Sequence, residues 1–486
     1  MIPSRSIHPQ RWASLPILLA GAIIPVIDVF AISMILPTIR ASLGASAADA
    51  QFIVSVFSGV YAVFLITGSR LGDLWGRRKL FIVGGVAFAF ASMVAALAPS
   101  AGFLIAARGL QGLAASLFAP QVLASIQAGF ETEERPVAIR WLGTAFAVAG
   151  VSGFLWGGAL IAWHPFGLTW QAYFWSFVPW SLAVAVGGLF VPESRNTHAQ
   201  GLDPRGVALL FLSLGLVVFP LAEGRAAGWP WWSLVLLALS PVLWVTFFRT
   251  QARLFRRGGS PLVSVDLFRD WSFVRGLILS LILYVSYGFL VFFAFYLKAV
   301  KGWSAWDLGL ASVPFGAAFF VTSFLVGPLT RVLGQRILAT GFGTMALGMA
   351  IMSLSIVGGG QGVDGWGVAG LAVMGAANGL LLPSLIRVVT TGMDPRHAGL
   401  AAGILLSVQQ MGAALGYVLL GGIFFSTLNA GGSSARAFLG VLVADMVLTA
   451  VAVGLAATMG TQAKLPRTLP SPARDTPCRE AGACEE

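Results

Sequence analysis

From residue 14 to residue 459 the chain is a succession of apolar runs separated by short polar breaks. There are fourteen: 14–38, 51–70, 79–98, 102–127, 138–162, 170–191, 205–222, 231–249, 273–298, 304–330, 337–357, 365–388, 398–426 and 436–459. Crossing a bilayer core of about 30 Å takes about 20 helical residues. Lipid offers the backbone no hydrogen-bond partners, so runs of this length must satisfy their own amides as helices. The expected fold class is therefore an all-α polytopic membrane protein with fourteen transmembrane helices. Composition agrees, because 57% of residues are hydrophobic and only 10% charged, against about 25% charged in soluble domains. The 59 glycines suit helices that pack closely in lipid, where small residues let backbones approach.

A net charge of +11 raises nucleic acid as a partner, but the basic residues sit in short loops between apolar runs. That placement excludes nucleic acid and points to the surface of a lipid bilayer. With both termini inside, 24 of the 30 Lys and Arg residues fall on the cytoplasmic side, as the positive-inside bias requires. The expected location is the cytoplasmic (inner) membrane, with both termini cytoplasmic. Arg5 and Arg11 precede the first apolar run in the manner of a signal peptide. The run continues past Thr38 without a small-residue cleavage site, so it reads as an uncleaved first span.

The break from Ser69 to Lys79 is too short for a domain and reads as a tight cytoplasmic turn. Gly72 and Gly76 are expected to give it backbone freedom, and Arg77, Arg78 and Lys79 to hold it at the inner face. Its spacing resembles the loop between the second and third helices of the major facilitator superfamily, Gly-x-Leu-x-Asp-x-x-Gly-Arg-Arg/Lys. Leu71, Asp73, Gly76, Arg77 and Arg78 match, and Ser69 stands at the first glycine. A weaker copy, Gly327 to Arg336, keeps Leu, Gly and the last Arg in register but puts Arg331 where Asp73 stands. Parallel repeats of this kind mark transporters built from two six-helix halves.

The resemblance implies a major facilitator fold with two inserted helices. The expected organisation is a cytoplasmic segment (1–13), a first half (14–192), an inserted pair (205–249), a basic cytoplasmic loop (250–272), a second half (273–459) and a disordered tail (460–486). It also implies a conformational gating loop comprising Leu71, Gly72, Asp73, Gly76, Arg77 and Arg78.

Asp28 lies near the middle of the first span. A charge at the bilayer centre costs at least about 2.5–3.5 kcal/mol on insertion scales, so it faces protein or water and has a purpose. Its surroundings, with Leu36 and Pro37, resemble the first-helix motif of the fourteen-helix drug:proton antiporters (the EmrB/QacA-like group). Arg108 and Gln111 share a helical face. With Gly112 they resemble the superfamily's fourth-helix motif, Arg-x-x-Gln-Gly. A buried arginine needs an anionic or carbonyl partner, and Asp28 is the candidate; snorkelling from a helix end is the other reading. Asp28 and Arg108 are thus the expected proton-coupling pair.

Gly150, Gly153 and Gly157, followed by Gly158, form a stripe for close helix packing. This stretch resembles the antiporter motif Gly-x-x-x-Gly-Pro-x-x-Gly-Gly, with Ala149 at its first glycine and Phe154 in place of the proline. Gln111, Phe154, Asn378, Gln409 and Gln410 are the expected substrate-cavity residues, the last three either facing the cavity or bonding neighbouring helices. Asp445, mid-span in the last helix, serves coupling or a hydrogen bond to its neighbour.

Three functions are weighed. An enzyme needs a catalytic constellation, and His8, His164, His198 and His397 show no metal spacing. Cys478 and Cys484 match no metal or redox motif. No lysine precedes Ser or Thr, so a Walker phosphate loop is absent. A non-transporting sensor has no use for the Asp28–Arg108 pair. The favoured reading is a secondary transporter that exports small amphipathic or cationic compounds by proton antiport and alternating access. It needs no cofactor beyond the proton gradient and no metal, and accessory efflux components are left open. The alternative is an exporter or uniporter of an endogenous metabolite with weak or no proton coupling, because Phe154 replaces the proline.

Overall fold

The structure, a computed structural model, describes residues 11–131, 133–195, 201–224, 227–263, 265–360, 362–390 and 395–459. The segment 1–10 and the tail 460–486 lie outside the described residues, as do Cys478 and Cys484. Among the described residues every regular element is helical, and fourteen stretches are long and apolar enough to cross a membrane.

The first six crossings are α1 (Arg11–Leu43), α2 (Ala47–Trp75), α3 (Arg77–Ala96), α4 (Ala101–Gly129), α5 (Arg135–Trp163) and α6 (Trp170–Gly187). Two more follow, α7 (Pro204–Phe219) and α8 (Trp231–Arg256). The remainder comprises α9 (Trp271–Ser286), α10 (Gly288–Lys301), α11 (Ala305–Leu333), α12 (Ile337–Val357), α13 (Gly365–Thr390), α14 (Pro395–Asn429) and α15 (Ser434–Met459). α9 and α10 make one crossing, broken at Tyr287. There the Tyr287 amide donates to Tyr284 O at 3.3 Å, three residues back, so the i→i−4 ladder tightens locally.

The two halves meet along α2 with α14 and along α5 with α11. α7 and α8 pack on each other, and α7 leans on α2 and α14. The basic stretch after residue 249 is not loop throughout, because α8 continues to Arg256. Arg253 and Arg256 fall in its last turn, where cations complement the helix dipole.

The connection between α2 and α3 is tighter than the sequence suggests. α2 runs to Trp75 and α3 starts at Arg77, which leaves Gly76 alone between them. Gly76 has φ +110° and donates to Gly72 O at 2.9 Å. Gly72 is helical and lies against the Gln121 side chain, so its bare Cα serves close packing rather than the turn. In the second half Gly334 closes α11 with φ +54°, and its amide donates to Thr330 O. These positions are in register with Gly76 and Gly72 in the repeat. The repeat in sequence thus extends to a glycine of positive φ and its closing hydrogen bond, while the chain leaves the second glycine differently, through a 3-10 turn over Gly334–Arg336.

Candidate functional site

Glycines let the first-half helices approach closely enough to enclose a charge. A Cβ at Gly68 would overlap the Ser116 carbonyl of α4, and one at Gly112 the Phe57 carbonyl of α2. On α5, a Cβ at Gly153 would lie 3.1 Å from Ile27 O, and one at Gly157 3.1 Å from Ala31 O. α1 is thus gripped on either side of Asp28. Gly158 lies against the Ala305 carbonyl of α11, and Gly150 is in ordinary contact with the Phe30 and Phe319 rings.

Asp28 and Arg108 are both fully buried. Arg108 Nη1 lies 2.8 Å from each Asp28 carboxylate oxygen and donates to Oδ1. The same nitrogen donates to Gln111 Oε1 at 3.0 Å, and Nε donates to Ile53 O at 3.0 Å. The guanidinium carbon sits 4.4 Å from the Phe57 ring centroid. Gln111 Nε2 passes the chain on to Ser92 Oγ at 2.8 Å. Tyr173 of α6 donates its hydroxyl to Asp28 Oδ1 at 2.7 Å. Residues of α1, α2, α3, α4 and α6 therefore join in one network, in which Arg108 and Tyr173 touch the carboxylate itself. A charged pair without water needs this many partners, since the desolvation of each ion otherwise exceeds the attraction. Two atoms are left over: Asp28 Oδ2 and Arg108 Nη2 are buried without a hydrogen-bond partner.

An aromatic seam runs between the halves. Phe30, two residues after Asp28, meets Phe154 edge-on at 5.1 Å and Tyr287 at 5.8 Å. Phe154 reaches Phe315 of α11 at 6.1 Å, and Phe315 reaches Phe289 at 5.8 Å. Phe154 is fully buried, and Gly309 of α11 packs on its carbonyl.

The other expected cavity residues stand apart. Asn378 Nδ2 donates to Met374 O on its own helix, and its Oδ1 has no hydrogen-bond partner. Gln409 Nε2 and Gln410 Oε1 are also without one. None of the three hydrogen-bonds to the ion pair. In the gating segment Arg77 pairs with Asp73 at 2.8 Å and donates to Ala124 O of α4. The Arg78 amide donates to Glu193 Oε1 at 3.1 Å, while Leu71 is half-buried.

Sequence reasoning missed Tyr173, Ser92, Phe57 and Arg70. A tyrosine in an apolar run needs a partner for its hydroxyl, which was the available signal for Tyr173. Arg70 is buried and donates to the carbonyls of Gly201, Ser260 and Pro261. It thereby ties the end of α2 to the segments flanking the α7–α8 pair, contacts that no local pattern announces.

Fourteen crossings in two packed halves, with a buried ion pair in the first, define a polytopic membrane transporter. The chain belongs to the Major Facilitator Superfamily, whose profile it matches over residues 18–417. It is 34% identical over 426 residues to the probable actinorhodin transporter of Streptomyces coelicolor, covering 87% of this chain and 74% of that one. It is 29% identical to the multidrug resistance protein Stp of Mycobacterium tuberculosis, covering 83% and 74%. It is 28% identical to the tetracenomycin C resistance and export protein of Streptomyces glaucescens, covering 88% and 78%. In fold it is similar to the crystal structure of a peptide transporter, POT, in complex with sulfate, with a TM-score of 0.66 at 15% identity over 93% and 96% of the two chains.

Proposed function

We propose that this protein exports small amphipathic compounds carrying aromatic rings, in exchange for protons, by alternating access of its two halves. The observation that carries the reading is the fully buried Asp28–Arg108 pair, in a chain whose halves meet at an aromatic seam that begins two residues further along α1. Asp28 takes the proton, and Arg108 holds the carboxylate when the proton has left. A ring that enters the seam meets edges and faces of Phe30, Phe154 and Phe315, each contact worth about 0.5–1.5 kcal/mol beyond its area. The relatives named for actinorhodin, for multidrug resistance and for tetracenomycin C support an export role. The excess of basic residues in one set of loops supports the cytoplasmic membrane, with both termini inside.

The test is gradient-driven uptake into everted membrane vesicles. With the lumen acidic, wild-type vesicles should accumulate a fluorescent aromatic dye. Asp28→Asn keeps the shape and removes the titration, so it should insert normally and lose the gradient-driven component. Wild-type accumulation by Asp28→Asn would overturn the assignment.

A further inference from the structure

A second carboxylate lies inside the membrane-spanning region. Asp445 on α15 is fully buried, as is Ser286 at the end of α9. Ser286 Oγ is 2.5 Å from Asp445 Oδ1 and 3.2 Å from Ile282 O on its own helix. Asp445 Oδ2 has no hydrogen-bond partner. Where Asp28 has a guanidinium against both oxygens, Asp445 has no cation within 4.0 Å among the described residues. An unpaired carboxylate in such a site is strongly disfavoured, and the group keeps its proton instead.

The hydroxyl has one hydrogen and two acceptors in reach. With Asp445 protonated, its O–H donates to Ser286 Oγ, and the Ser286 hydrogen goes to Ile282 O. When the proton leaves to water, the Ser286 hydrogen turns to the carboxylate and Ile282 O loses its side-chain donor. This happens one residue before the break at Tyr287, where the helix ladder is already interrupted. The backbone at the break is also pressed on α14, where Gly416 lies against Val285 O and Gly412 against Leu281 O.

We propose that Asp445 is a second proton-binding site, neutral at rest, and that its deprotonation turns the Ser286 hydroxyl from Ile282 O to the carboxylate and so reshapes the α9–α10 break, since a hydroxyl bonded back to the carbonyl four residues earlier bends a helix.

Among the described residues no other titratable side chain hydrogen-bonds to Asp445, and Arg336, in the turn that packs against α15, is exposed. α12 carries no titratable side chain. On α9 and α10, Tyr284 and Tyr287 pack on each other, and Tyr287 faces Phe30. Tyr296 stacks on Phe438, Lys298 donates to Thr38, and Arg275 donates to Thr458 O near the far end of α15. Lys301 is exposed where α10 ends. On α14 the described titratable group is Tyr417, which is buried, and on α15 itself Arg436 lies in the first turn. The inference deepens the proton-driven reading, but only its role in transport rests on that reading.

The test uses the full chain in lipid and no substrate. Infrared spectra across an alkaline titration should contain a protonated-carboxyl C=O band that is lost in Asp445→Asn and persists in Asp28→Asn. Spin labels at Ile278→Cys and Val300→Cys, exposed on α9 and α10, with Cys478 and Cys484 changed to Ser, report the distance across the break. That distance should change with the same midpoint as the band, and stay constant in Asp445→Asn. Ser286→Ala should keep the band and lose the distance change, which covers the case where Asp445→Asn fails to fold. Absence of the band, or a distance change that is missing in wild type or survives in Asp445→Asn, would overturn the proposal. Because neither readout involves transport, these outcomes are separable from the vesicle result for Asp28→Asn.

Discussion

The Tyr173 hydroxyl and Arg108 Nη1 converge on the same oxygen, Asp28 Oδ1, at 2.7 and 2.8 Å. Tyr173 is also 3.1 Å from the Asp28 backbone carbonyl, so one hydroxyl touches both ends of the residue. α6 thereby orients the carboxylate that α4 neutralises. Because the Tyr173 ring packs edge-on against Phe174 and Phe177, the hydroxyl is held by a rigid body.

Tyr173→Phe should therefore separate orientation from packing. The ring contacts remain and the donor is lost. A hydrogen bond to a charged group is worth about 1.5–3 kcal/mol, so gradient-driven uptake should fall by about tenfold or more, with expression and thermal midpoint close to wild type. Undiminished uptake would show that Arg108 alone orients Asp28.

Close approach of α2 and α4 is the second condition for the pair. Gly112→Ala would drive a methyl group into the Phe57 carbonyl, one helical turn along α2 from the Ile53 carbonyl that accepts from Arg108. Overpacking of this kind costs about 1–3 kcal/mol. The thermal midpoint in detergent should fall and uptake with it. Gly143→Ala on α5 has nothing within 4 Å of the new methyl and should leave both unchanged.

How much of this was legible depends on what each feature needs. The fourteen crossings follow from length and hydropathy alone, since lipid admits no other backbone solution. Asp28 and Arg108 stood out because charge in a span is expensive, and Gln111 because it shares a helical face with Arg108; the structure places the three in one network. Gly72 was misplaced because a glycine near a basic break looks like turn chemistry until the helix is seen to run through it. The break at Tyr287 is marked in sequence only by Gly288, a lone glycine that reads as one more small residue until it is seen to lie against Gly416 of α14. Tyr173 and Arg70 depend on partners more than a hundred residues away in sequence, and spacing within one helix does not encode such pairings.

At the cytoplasmic end proposed above, Glu134 fastens the start of α1 to the α4–α5 connection. Arg11 donates to it at 2.7 and 3.0 Å and Trp12 at 3.1 Å. The Arg11 hydrogen bond holds the Glu134 carboxyl below its ordinary value of 4.5, against a smaller opposing effect of burial. A depressed folded-state value means the contribution is complete above the unfolded value and is lost as pH falls through the folded one. The thermal midpoint should therefore drop on acidification below about pH 4, and Glu134→Gln should flatten that part of the profile. An identical profile in the variant would remove Glu134 from the account.

Phe154 offers the sharpest test of the substrate class. It is the ring that joins Phe30 of α1 to Phe315 of α11, and so spans the surface along which the halves must part. Replacing it with Ala would leave a cavity costing about 3–5 kcal/mol, which confuses folding with transport. Phe154→Leu retains most of the volume, at a cost of less than about 1.5 kcal/mol, and removes only the π face. If aromatic substrates bind by their rings here, uptake of an aromatic dye should fall about threefold to tenfold, the worth of one ring pair. Uptake of an amphipathic aliphatic amine should stay within about twofold, since its binding uses area and not stacking. Phe315→Leu should behave alike, and the double variant should lose less than the product of the two effects, because both rings would clasp the same group. Equal losses for aromatic and aliphatic compounds would mean that the seam serves the motion of the halves and not the recognition of a ring.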